Sequence, residues 1–388
     1  MHGSKVRFST GQRRARLGLR HRLAVKAATP EEVAASVVAL HGSDPTSVFL
    51  SAGARLAVPG HEPVERAIYD ERTLVRMTGM RRTVFAVPAE LVPVVHWSTM
   101  APVARRERRA LMKVFGADGW DEARVAAAEA AVLRALAEHG EADAAMLGTL
   151  VPELREQAVL AAGKPYEALV SLGSRLVPLM AMDGLLVRGR RAGGTWVNGR
   201  HLWGLAPELP RLGMPEARAE LARRWLAAFG PATEADLKWW TGWTLTETRA
   251  ALSAVGAVEV ELDEGPGVAL PDDLEEVPEP EPWAALLPAL DPTPMGWQAR
   301  DWYLDAGHRA ELFDRNGNIG PTVWWDGRVA GGWAQRPDGE IVWRLLADVG
   351  AEGRAAVEAQ ADALAAWLGE VRVTPRFRTP LERELSAP

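Results

Sequence analysis

A chain of 388 residues, 47% hydrophobic and 25% charged, has the composition of a folded protein and is too long for one ordinary core, so two or three modules are expected. The absence of cysteine excludes disulfides, thiol catalysis and cysteine-ligated zinc or iron–sulfur centres. The net charge of −6 is unevenly spread, with eight basic and no acidic side chains in residues 1–30 and ten acidic and no basic ones in 259–282, so a basic face can exist on an acidic protein. No apolar run reaches bilayer length and the N-terminus lacks a secretory apolar core, which predicts a cytoplasmic protein with no membrane partner. Five of the 45 basic residues are lysine and the rest arginine. Arginine suits phosphate forks and groove insertion, although a GC-rich genome also encodes such a composition.

Ser9 or Thr10 caps a basic helix running to about Leu23, and Thr29-Pro30-Glu31-Glu32 starts another with a cap, a proline and an acidic first turn. Asp44-Pro45 repeats that signal, so a tight break at 41–44 separates two helices, and Thr83–Pro88 reads as a strand. From residue 120 the pattern recurs, with helices over Asp121–His139, Ala142–Gln157 and Tyr166–Asp183. A hairpin follows, its strands Leu185–Arg191 and Thr195–Asn198 joined by Ala192-Gly193-Gly194. A third round comprises helices Glu216–Phe229, Thr233–Trp240 and Leu245–Ala254 and the strand Ala257–Leu262. The acidic, proline-containing stretch Pro271 to Pro282 reads as a linker. Beyond it lie a hairpin over Thr322–Trp333 turning at Asp326-Gly327, a strand at Ile341–Leu346, and an amphipathic helix over 351–369.

The expected fold is therefore α+β and mainly α. It comprises winged-helix units over 1–105, 106–212 and 213–270, a linker over 271–282, and a C-terminal β-rich region with a terminal helix over 283–388.

Several stretches resemble one group within the helix-turn-helix superfamily, the AlkZ/YcaQ-type DNA glycosylases. They are Leu40-His41-Gly42-Ser43-Asp44-Pro45, Met80–Glu90, Ala235–Trp243, Leu287–Pro292, His308-Arg309 and Thr322–Trp333, and the match spans most of the chain. The resemblance implies a C-shaped stack of three winged helices holding double-stranded DNA, and hydrolytic removal of alkylated or toxin-crosslinked purines. It also implies that His41 and Ser43 occupy the positions of the family's Gln-x-Gln or Gln-x-Asp pair, which positions the catalytic water. His-Gly-Ser is a departure from that pattern.

A purine alkylated at N3 or N7 is cationic and already a good leaving group, so the enzyme needs chiefly a positioned water beside C1′. Neutral histidine can accept a proton from water, and serine supplies a short hydroxyl. Against this, His41 also fits a helix end and Ser43 a turn. Asp44 could stabilise an oxocarbenium ion, yet Asp before Pro is the pattern of an N-cap. The candidate catalytic set is His41, Ser43 and Asp44. No lysine lies near this motif, so a Schiff-base lyase step is not expected and the enzyme would be monofunctional.

The candidate DNA-binding groups are Arg13, Arg14 and Arg16 on the basic helix, Arg81 and Arg82 beside the first module's strand, and Arg188, Arg190 and Arg191 on the hairpin. Trp239, Trp240 and Trp243 read as packing anchors. Asp314-Arg315-Asn316-Gly317-Asn318 opens like a calcium loop but has Ile319 and Trp325 at the sixth and twelfth positions, so it reads as a turn. No metal and no cofactor are expected, and the protein is read as a monomer. The alternatives are a winged-helix DNA-binding protein without catalysis, acting as regulator or lesion binder, and an interaction scaffold that does not bind DNA.

Overall fold

In the computed structural model, which describes residues 5–161, 163–193 and 195–387, the chain is α+β and predominantly helical. Three groups of helices are each closed by an antiparallel hairpin. The first contains Pro30–Ser36, Pro45–Gly53 and the hairpin Leu74–Thr78/Val84–Pro88. The second contains Ala101–Phe115, Glu122–His139, Ala144–Leu150, Leu172–Met182 and the hairpin Leu186–Ala192/Arg200–Leu205. The third contains Met214–Phe229, Glu234–Thr241, Leu245–Ala254 and the hairpin Val258–Leu262/Gly265–Ala269. A four-stranded antiparallel sheet follows, its strands in the order Ala284–Leu287, Thr322–Trp325, Arg328–Gln335, Ile341–Leu345, with the helix Gly350–Leu368 packed on it.

The helix starts follow from local capping. Ser9, Thr29, Asp44, Asp121 and Thr233 each accept a hydrogen bond from a backbone N–H of the first turn, satisfying donors that the helix itself leaves free. The second group has its own core around Phe115, Trp120, Val132, Leu176 and Trp203. The first and third groups and the C-terminal sheet share one larger core that contains Phe49, Trp225, Trp297 and Trp324.

Several expectations are corrected. Tyr166–Asp183 is not one helix: Ala168–Ser171 is a strand paired with Gln157–Leu160, and the helix begins only at Leu172, capped by Ser171. The helix expected over Ala142–Gln157 is only Ala144–Leu150, ending at a non-helical Val151 before Pro152, and a short 3-10 turn over Pro152–Arg155 follows. The hairpin partner of Leu186–Ala192 is Arg200–Leu205 rather than Thr195–Asn198. The reason is Trp196, which is buried against Phe49, His61 and Trp367 and so draws the intervening segment out of the ladder.

The N-terminal strand Arg7–Phe8 joins the third group's sheet in parallel, with Phe8 opposite Leu262, so residues expected in the first module are tied to the third. The acidic stretch has no regular structure but is no free spacer: Asp273 receives both Arg16 and Arg20, and Gln12 exchanges two hydrogen bonds with Val277. The Asp314 turn is as expected, its carboxylate accepting from Asn316 N, Asn318 N and Asn318 Nδ2.

Candidate active site

The strand Leu40–His41 pairs with Val84–Pro88, which becomes the central strand of the first group's sheet, His41 opposite Phe85, and the pairing continues one step as Gly42 N donates to Val84 O at 2.7 Å. Ser43 Oγ then accepts from Val84 N at 3.3 Å, and Asp44 opens the helix Pro45–Gly53. The four residues thus form a turn fastened to the hairpin by its own backbone.

Gly42 and Ser43 line a cleft of about 770 Å³, closed on the other side by the second group's hairpin. Its walls carry Arg76, Arg188, Arg191, Arg200 and Arg376, together with His201. One carboxylate, Asp143, faces it, and that group is paired with Arg200 at 3.1 Å and caps its own helix. The cleft is strongly cationic on a protein of negative net charge, because the acidic residues are spent elsewhere.

His41 is not on this wall. Its ring is buried beneath the turn, edge-on to Phe85 at 4.9 Å, and Nδ1 accepts a long 3.4 Å hydrogen bond from Ser43 N. Burial, then repulsion from Arg81, pushes its pKa down to about 3. The ring is therefore neutral at physiological pH, and with Nδ1 accepting, the proton sits on Nε2. This corrects the expectation of a proton-accepting water ligand: His41 holds the turn.

Asp44 is buried and fully engaged. Oδ1 accepts from Thr46 N at 3.0 Å and Thr46 Oγ1 at 2.7 Å, and Oδ2 from Arg376 N at 2.8 Å. Such a carboxylate is a cap and a tie to the C-terminal segment, not a group free to face a sugar.

Of the hairpin arginines, Arg188 and Arg191 line the cleft while Arg190 turns away to pair with Asp70. Alternation along a strand would place 188 and 190 on one face. A bulge between Arg188 and Arg191, opposite Trp203 and His201, inserts one extra residue and brings 188 and 191 to the same side instead. Arg188 lies over the Trp203 ring at 4.9 Å, and burial followed by Arg76, Arg376 and Arg191 lowers its pKa to about 10. His201 is lowered to about 4 by burial and then by Arg188, Arg76 and Arg191, so it too is neutral.

The basic helix does not reach the cleft. Arg13 and Arg16 are buried, Arg13 against Glu264 at 3.0 Å and over Trp302 at 4.0 Å, Arg16 against Asp273 at 2.6 Å, while Arg14 donates to the Trp302 carbonyl. All three serve internal packing, which corrects their expected DNA contact. Arg81 and Arg82 form the tip of the first hairpin, both at positive φ (51° and 64°), where Asn-Gly would be less strained. Arg81 stacks over Trp239 at 3.9 Å and Arg82 pairs with Glu107 at 2.9 Å. Trp240 and Trp243 are buried anchors.

Sequence reasoning missed Arg76, Arg200, His201 and Arg376. The one local signal is an arginine inside the apolar strand Leu74-Val75-Arg76-Met77, where a charge needs a reason.

Comparison with known proteins agrees with this architecture. The family described as DNA glycosylase AlkZ-like matches residues 34–367. No curated protein matches the chain in sequence. Among solved structures, the DNA glycosylase AlkZ of Streptomyces sahachiroi superposes with a TM-score of 0.72 at 22% identity, over 95% of this chain and 99% of that one, which shows a shared fold. The family match covers most of the sequence, and the chain belongs to the AlkZ-like DNA glycosylase family.

Proposed function

We propose that the protein is a monofunctional glycosylase that hydrolyses the N-glycosidic bond of N3- or N7-alkylated, or crosslinked, purines in duplex DNA, for base excision repair or self-resistance to a DNA-alkylating toxin. The observation that carries this reading is the cleft in which Gly42-Ser43 face five arginines. The arginines, from the first and second groups and the C-terminal segment, would take backbone phosphates, and the turn would meet the sugar. A cationic purine leaves with little protonation, so neutral groups suffice to hold the water. Ser43, whose Oγ accepts from Val84 N and keeps its own O–H free to donate, is the proposed water ligand, with neutral His201 as an acceptor on the same cleft. His41 is the positioning residue behind Ser43. No lysine lines the cleft among the described residues, in keeping with a hydrolytic step that leaves an abasic site.

The test is a duplex carrying 7-methylguanine or 3-methyladenine, assayed for base release and for strand scission with and without alkali. Scission only after alkali is expected. No base release across such lesions would refute the reading and favour the second one, a lesion-binding protein without catalysis. One observation supports that alternative: among the described residues the one carboxylate on the cleft wall, Asp143, is paired with Arg200, and Asp44 behind the turn is saturated.

A further inference from the structure

Arg76 is an anomaly as a structural residue. It is 4% exposed, yet among the described residues its only side-chain hydrogen bond is to the Tyr69 hydroxyl at 3.3 Å, and its Nε has no partner there. A buried guanidinium is ordinarily held by a carboxylate, because its desolvation is otherwise uncompensated. Here the neighbours have the same sign. Arg188 and Arg191 come from the bulged hairpin strand, Arg376 from the C-terminal segment, and Arg191 Nε is also buried without a partner. None of the four has a carboxylate within ion-pairing distance among the described residues: Asp143 is taken by Arg200, and Asp44, the carboxylate that acts on Arg191, is saturated by Thr46 and the Arg376 backbone.

The arrangement is also fixed from behind. Trp203 backs Arg188, Asp44 holds the Arg376 backbone, and the bulge turns Arg191 inward. Cations from three separate segments are thus held together without a carboxylate among the described residues to offset them, which is costly to the free protein. Planar forks lining one cleft suit a tetrahedral phosphate with several acceptor oxygens.

We propose that Arg76, Arg188, Arg191 and Arg376 form a receptor for a single phosphate group, the DNA backbone phosphate beside the lesion nucleotide, which registers that nucleotide against Ser43. The receptor stands on the cluster itself; the assignment of its phosphate to DNA rests on the glycosylase reading. Burial is the first cause of His201's lowered pKa and the three arginines the next; binding would neutralise the arginines, so the imidazole's pKa should rise, though not to its ordinary value, when the receptor fills.

Two arms test this. In the first, the intact protein is melted in inorganic phosphate and in chloride at equal ionic strength, and the His201 ring resonances are titrated in each. Phosphate should raise Tm and raise the His201 pKa, and both effects should vanish in Arg76→Met and in the more exposed Arg191→Gln. Equal behaviour in the two salts, or phosphate effects that persist in both variants, would overturn the receptor. In the second arm, methylphosphonates replace single phosphates next to a 7-methylguanine. One position should weaken wild-type binding by about tenfold or more and leave Arg76→Met unaffected. If phosphate stabilises the protein but no backbone position matters, the assignment to DNA is wrong and the receptor takes a free phosphate. Position-dependent binding without base release would refute catalysis alone, leaving the receptor standing.

Discussion

Arg55 and Asp291, 236 residues apart in sequence, are joined by two parallel hydrogen bonds in the core, Nη1 to Oδ2 at 2.8 Å and Nη2 to Oδ1 at 2.7 Å, with both side chains fully buried. The other three guanidinium N–H groups donate to His21 O, Ser51 O and Thr293 Oγ1, so all five donors are used. This pair clasps the helix that follows the His41-Gly42-Ser43 turn to the C-terminal region. Asp291→Ala leaves an uncompensated buried cation and should cost about 3–5 kcal/mol. The double variant Arg55→Met/Asp291→Leu should recover much of that loss. Urea unfolding would measure it, and a single-variant loss below about 1 kcal/mol would contradict the clasp.

Salt dependence separates structural from DNA-facing arginines. Arg188→Gln and Arg191→Gln should each weaken duplex binding and reduce the slope of log K against log salt by about 1. Arg16→Gln should leave the slope unchanged and instead lower stability, because Arg16 is committed to Asp273 and the Glu275 carbonyl. Fluorescence anisotropy across a salt series decides the matter. A reduced slope in Arg16→Gln would return the N-terminal helix to the DNA interface.

What the sequence revealed and what it hid divide along the range of the interaction. The caps at Ser9, Thr29 and Asp44 were legible because each is a side chain bonding to a backbone two or three residues away. The Asp326-Gly327 turn was legible for the same reason. The role of the basic helix was not, since Arg13 and Arg16 meet partners more than 250 residues away. The basic run in residues 1–30 and the acidic run in 259–282 are each other's partners, a complementarity present in the composition but without a local pattern that pairs them. Trp196 hid the hairpin's true second strand, because its burial depends on Phe49 and Trp367 from two other regions. The cleft arginines are scattered singly along the chain and acquire meaning only when the bulge and the C-terminal segment assemble them.

Acid should destabilise the protein through His21 and His41. Both are buried and neutral, with pKa values lowered to about 3 from an ordinary 6.5, chiefly by desolvation and then by Arg55 for His21 and Arg81 for His41. The unfolded chain binds protons below about 6.5 that the folded chain refuses, so stability falls with pH from there down to about 3. Each group adds a slope approaching about 1.4 kcal/mol per pH unit within that window. Denaturant titrations from pH 7 to 4.5 should show the loss, and His41→Asn should remove one share of it. An unchanged slope in that variant would mean that His41 does not resist protonation in the fold.

If His41 acts by holding Ser43, its substitutions should affect the chemical step and spare DNA affinity. His41→Leu keeps bulk and apolar contact with Phe85 but offers no acceptor to Ser43 N. His41→Asn places Oδ1 close to where Nδ1 lies and preserves that acceptor. Single-turnover base release from a 7-methylguanine duplex should fall about 10- to 100-fold in the leucine variant, equivalent to losing about 1.4 to 2.7 kcal/mol of transition-state positioning, with KM nearly constant. The asparagine variant should retain most of the rate. The rate profile between pH 5.5 and 8 should be the same in wild type and His41→Asn, because a ring with a pKa near 3 does not titrate there. A profile that loses an ionisation near neutral pH on replacing His41 would make it a proton acceptor in its own right. Equal failure of leucine and asparagine would show that the imidazole does more than supply Nδ1 to the turn.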